Sequence, residues 1–154
     1  MANQAPGPWT SEDFNDLTWH DNHIHGFRVI EGVHGTGELL IDIDFILEWL
    51  GADDSGNFRF QIAPADLIFH DVSNLTVSLD YASISAAMGP FSIDGIKKHI
   101  EKRERYDATV WTIDINFPAG RISFEGSGFT QTLRGHAITT DQQVLSHEQR
   151  SSAA

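Results

Sequence analysis

Two imidazoles two residues apart, His23 and His25, follow the stretch Trp19-His20-Asp21-Asn22. On a β-strand alternate side chains share a face, so Asp21, His23 and His25 would stand on one side. Histidines so placed can share a divalent metal, and a carboxylate from a neighbouring strand can complete the set. Glu31, Asp42 and Asp44 are the candidates for that carboxylate. On this reading the chain is a metal-assisted enzyme or a metal-binding β-barrel, with His23, His25, Asp21 and Glu31 as its ligands. The other reading is a polar strand face, with one histidine packed against Trp19 and no cofactor.

A second group of residues is acidic. Asp42 and Asp44 fall on the outward face of the stretch Glu38–Leu50, and Asp114 and Asn116 fall on the outward face of another strand. If those strands lie near one another, carboxylates gather on one surface. Such a surface can bind a hard cation or do acid–base work. It can also receive a basic protein and speed its association, or it can be an ordinary solvated sheet face. Of these, a non-catalytic binding face for a basic protein partner, formed by Asp42, Asp44, Asp114 and Asn116, is the functional expectation. A homodimer is a further expectation.

Other chemistries lack their residues. His70 and Asp71 are adjacent, so on a strand they point to opposite faces and Asp71 cannot orient His70. Gly126-Ser127-Gly128 lacks the spacing of a nucleophile elbow, and no phosphate loop, zincin helix or EF-hand loop occurs. The chain has no cysteine, which excludes disulfides and thiolate chemistry. Ten Lys and Arg against 22 Asp and Glu give a formal charge of −12. A chain this acidic is a poor ligand for phosphate backbones, so no nucleic-acid partner is expected.

The elements that must position these residues read mainly at period two. Leu39, Ile41, Ile43, Phe45, Leu47 and Trp49 alternate with polar residues. So do Phe58, Phe60 and Ile62, with Pro64 stopping that strand, and Leu75, Val77, Leu79 and Tyr81. Trp111–Phe117, the turn Pro118-Ala119-Gly120 and Arg121–Phe124 make the clearest hairpin. Trp19, Trp49 and Trp111 take inward positions. Ile93, Ile96 and Ile100 carry a helical spacing behind Ser92, which predicts a short helix over Ser92–Glu104. The alternative there is a strand ending near Ile96 and a charged loop.

The 154 residues suit one domain. The expected fold is all-β, a mainly antiparallel sandwich, half-barrel or barrel of seven to eight strands with at most one short helix. Residues 14–140 form the β domain, and 1–13 and 141–154 read as flexible tails. No apolar run approaches the length of a membrane span, so no membrane contact is expected. Met1–Pro8 has no secretory pattern, which makes a bacterial cytoplasm the expected location.

Two family resemblances follow from these motifs. His23-Ile24-His25 and Pro118-Ala119-Gly120 resemble fragments of the two cupin motifs, which would imply a metal-binding barrel. Glu31 comes too late after His25 for that pattern, and no histidine follows Gly120 closely. The segments Leu17-Thr18-Trp19-His20-Asp21, Glu38–Leu50, Leu67–Val72 and Pro118–Ile122 resemble a bacterial β-rich family of unknown function. The same segments are loosely similar to toxin-immunity-type proteins. That likeness implies protein binding without catalysis.

Overall fold

The computed structural model describes residues 6–82 and 87–154. Nine strands account for most of them: β1 (Trp9–Thr10), β2 (His23–Glu31), β3 (Gly37–Ala52), β4 (Phe58–Leu79), β5 (Phe91–Lys102), β6 (Asp107–Phe117), β7 (Gly120–Glu125), β8 (Gly128–Leu133) and β9 (Ile138–Thr140). A 3-10 turn (Ser11–Asp16) follows β1, and one α-helix, α1 (His147–Ala153), closes the chain. Every strand pairing is antiparallel. The chain is therefore all-β, as its period-two pattern requires.

The strands close on themselves. Hydrogen-bonded neighbours run β4–β3–β2–β5–β6–β7, and β7 returns to β4. The long strand β4 makes this possible. One of its edges pairs with β3 from Phe58 to Val72. The other is shared in turn by β9 at Phe60–Ile62, β8 at Ala65–His70 and β7 at Ser73–Leu79. β4 bends on the way through an irregularity between Ser73 and Thr76, where Asn74 has φ 51°. The seam between β2 and β5 is the weakest: only His23 and Ile24 pair across it.

Inside the barrel, the inward parity of each strand supplies the core. Leu39, Ile41 and Ile43 of β3 meet Ile113 and Ile122 of the β6–β7 hairpin, all buried. Trp111 is the aromatic centre, with Phe69 at 5.2 Å, Phe14 at 5.6 Å and Phe129 at 5.8 Å between ring centroids. Trp9 docks onto Phe45 at 5.1 Å as β1 pairs with β8. A second, smaller cluster of Ile46, Phe60, Ile62 and Leu145 lies apart, beneath the C-terminal segment.

Several expectations are corrected. Pro64 does not stop its strand. Its carbonyl accepts from the Arg134 amide, and a residue's N–H and C=O point to the same side of an antiparallel ladder. The missing N–H thus faces the gap between β8 and β9 and leaves the pairing with β3 intact. Ser92–Lys102 lies in strand β5 rather than a helix, in regular register with β6 from Gly95 to Lys102, and Ile100 is exposed. Tertiary pairing overrides a weak helical stripe that already contains Gly95. The helix lies instead at 147–153, in the stretch read as a flexible tail. Of the stretch 1–13, residues 1–5 lie outside the described residues, while Trp9–Thr10 form β1 and Ser11 opens the 3-10 turn. Among the described residues no helix is long and apolar enough to cross a membrane.

Candidate functional site

Asp42 and Asp44 of β3 are covered by the chain's own arginines. Asp42 is bonded by both Arg134 and Arg150, with Arg150 Nη1 donating to Oδ2 at 3.2 Å. Asp44 is completely buried. Its Oδ2 lies 2.6 Å from His25 Nε2 and accepts the Leu145 amide at 2.8 Å, while Oδ1 lies 3.2 Å from Arg150 Nε. Arg134 Nε also lies 3.0 Å from Asp66. Burial pushes the Asp66 carboxyl above its ordinary range, against the pull of Arg134.

These contacts fasten α1 to the sheet. Leu145 enters the small apolar cluster, and Ser146 and Gln149 cap the helix reciprocally, at 3.1 and 2.9 Å. The His136 amide donates to Ala153 at 2.7 Å. Gly135 permits that approach, since a Cβ there would stand 2.6 Å from the Ala153 carbonyl oxygen. Outward on a strand therefore does not mean exposed: a folded segment lies over Asp44.

The histidine pair is divided by a bulge. β2 shifts register between Ile24 and Gly26, so His25 is the extra residue and reaches Asp44. His23 instead turns its Nδ1 to the Asp21 carbonyl at 3.1 Å, and burial holds its pKa below 6.5. Asp21 precedes the strand with φ 64°. Glu31 is at the far end of β2, eight residues from His23, or about 25 Å at strand rise. Among the described residues no three His, Asp or Glu side chains converge as a metal-ligand set.

Asp114 and Asn116 lie elsewhere. β6 is separated from β3 by β2 and β5 on one side of the ring and by β7 and β4 on the other. The two acidic pairs therefore do not gather. Asp114 holds Arg121 at 3.0 Å and Lys97 at 3.3 Å. Burial raises its pKa, but those two hydrogen-bonded cations outweigh it and the net shift is downward. Asn116 donates to Asp94 at 3.3 Å.

One array was not legible in the sequence. His70 Nδ1 lies 2.6 Å from Glu38 Oε2, and its Nε2 lies 2.9 Å from Thr130 Oγ1. The order hydroxyl, imidazole, carboxylate is that of a nucleophilic relay. It crosses β8, β4 and β3 on the outside of the barrel, and neither Thr130 nor His70 lines any of the described cavities. The array ties three strands together.

No protein-family model matches the chain, and no curated protein or solved structure is significantly similar to it.

The uncompensated surface is the end of the β3–β4 hairpin. Ile46 pairs with Ile62 and Trp49 with Phe60, and Phe58 follows on the same face. Leu145 covers the base of this apolar stripe, but its outer end is bare: Trp49 is 47% and Phe58 62% exposed. Trp49 packs edge-on against Phe60 at 4.7 Å, so it is held in place although it is not in the core. Around the stripe stand Glu48, Asp53, Asp54 and Asp141, against one cation, Arg59. None of these five is ion-paired among the described residues.

Proposed function

We propose that this protein binds a basic protein partner and does so through the end of the β3–β4 hairpin. The observation that carries the reading is the pairing of two exposed aromatics, Phe58 and the Trp49 held against Phe60, with four carboxylates that are not ion-paired, three on the hairpin and Asp141 beside it. Aromatic anchors ringed by polar groups are the anatomy of a protein interface. The acid surplus would steer a basic surface towards it. Asp42, Asp44 and Asp114 are already neutralised by Arg134, Arg150, Arg121 and Lys97, so they serve the fold, whereas the carboxylates at the hairpin end surround exposed aromatics and have no ion pair among the described residues. The likeness to toxin-immunity-type proteins implies the same kind of contact, with a basic toxin as one such partner. The acid surplus disfavours nucleic acid, and the lack of cysteine suits a cytoplasmic role.

The test is capture of proteins from a lysate of the cells in which the protein is native. The double variant Glu48→Lys/Asp54→Lys is compared with Asp16→Lys/Glu104→Lys, which changes net charge equally at exposed sites elsewhere. Asp53 is left alone because its Oδ1 accepts the Ser55 and Asn57 amides and shapes the loop. Basic proteins held by wild type and by the control, but not by the hairpin variant, are the expected result. Equal retention, or equal loss in both variants, would overturn the reading.

A further inference from the structure

β2 pairs with β3 along its whole length but with β5 only at His23 and Ile24. From Gly26 to Glu31 its other edge has no strand partner among the described residues. β5 has an open edge of its own over Asp94–Lys102, and the two differ in how they are defended. β5 carries Lys97, Lys98 and Lys102, the kind of charge that keeps an edge from pairing. β2 carries one cation, Arg28, between Phe27 and Val29, which are 39% and 63% exposed. Phe27 and Val29 stand opposite Ile41 and Leu39 in register, so both belong to the core-facing parity and are nonetheless wet.

Beside this edge the barrel mouth is hollow. A cavity of ≈ 360 Å³ is lined by Val29, Leu39, Val72 and Leu75, with Glu31 and Glu38 at its rim. Edge and cavity together are what strand addition requires. Main-chain groups supply affinity, and a pocket for alternate side chains supplies selectivity.

We propose that β2 receives an extended segment of a partner along Gly26–Glu31. The segment's alternate side chains are apolar and enter the cavity beside Val29, and basic residues at its ends meet Glu31 and Glu38. This rests on the reading of a basic protein partner and names how one segment of it docks. A second copy of this chain suits the edge poorly, because each copy carries a formal charge of −12 and would bring its own Arg28 to the pairing.

The probe is a fluorescein-labelled peptide, Lys-Val-Thr-Val-Thr-Val-Lys, titrated with the full chain and read by anisotropy. Saturable binding is expected. It should weaken about tenfold or more, a loss of about 1.4 kcal/mol, when glutamate replaces the lysines or when alternate amides are N-methylated. Val29→Lys, which places a charge on the edge, should weaken it as much with an unchanged circular-dichroism spectrum. Phe27→Lys serves if Val29→Lys alters that spectrum. The inference is overturned if wild type binds neither peptide, if N-methylation or the edge lysine has no effect, or if sedimentation shows a dimer that the edge lysine dissociates. Lysate capture that depends on the hairpin, together with no peptide binding, would remove this inference and leave the proposed function standing.

Discussion

Arg150 of the C-terminal helix lies 3.2 Å from Asp44, a carboxylate with no solvent exposure in the middle of β3. The same guanidinium reaches Asp42, two residues along the strand. A side chain near the end of the sequence thus neutralises the acidic pair that the β3 pattern presents as a surface.

Removing this contact should be costly. Arg150→Ala leaves Asp44 buried with only His25 and an amide as partners. Breaking a buried ion pair in this way costs about 3–5 kcal/mol. Arg150 keeps some contact with water, so the lower end is expected. Urea denaturation of wild type and variant measures it, and a change within about 0.5 kcal/mol, the range of ordinary surface substitutions, would show that α1 is not fastened by this pair.

Trp19 Nε1 donates to Gln131 Oε1 at 2.8 Å, and both residues are buried. Trp19→Phe should destabilise by about 1–3 kcal/mol, because it strands the Gln131 amide. In a double-mutant cycle, Gln131→Leu should cost less in the Trp19→Phe background than alone. Simple additivity would mean that the hydrogen bond contributes nothing.

His23 gives stability a pH dependence. Burial is the main cause of its depressed pKa, so the folded protein disfavours the imidazolium more than the unfolded chain does. Its stabilising share is complete above 6.5 and is lost as pH falls from there through the folded value. Between about pH 7 and about pH 5, wild type should lose more stability than His23→Gln. Parallel curves for the two proteins would contradict this.

Asp44 Oδ2 is taken by His25 and the Leu145 amide, its Oδ1 faces the Arg150 guanidinium without a hydrogen bond, and Glu31 is far from both histidines. Zinc titrated into the full chain should therefore leave its thermal midpoint unchanged. A concentration-dependent rise, abolished by His23→Ala/His25→Ala, would mean that the histidines bind metal after all.

Period two carried most of the fold. It made β2, β3, parts of β4, the β6–β7 hairpin and the core positions of Trp19 and Trp111 legible, because a half-buried strand writes its two faces directly into the sequence, while β5 was hidden by a helical stripe and the unity of β4 by Pro64. Bulges escaped this reading. One at Ile46/Glu48 ends the alternation of β3 and turns Trp49 away from the core, and another isolates His25 from His23. What covers an outward face was illegible as well, since Asp44 and Arg150 meet across 106 positions. A local signal for α1 did exist. Ser146-His147-Glu148-Gln149 is a capping-box pattern, and it lies in a stretch otherwise polar enough to read as tail.

The central claim, a basic protein seated on the β3–β4 hairpin, is tested most directly by photocrosslinking. A photoreactive phenylalanine analogue is placed at Phe58 in one preparation and, in another, at Phe117, which is exposed away from that hairpin. Irradiation in native lysate should yield adducts with basic proteins from position 58 and not from position 117. The same adducts from both positions, or none from position 58, would contradict the account.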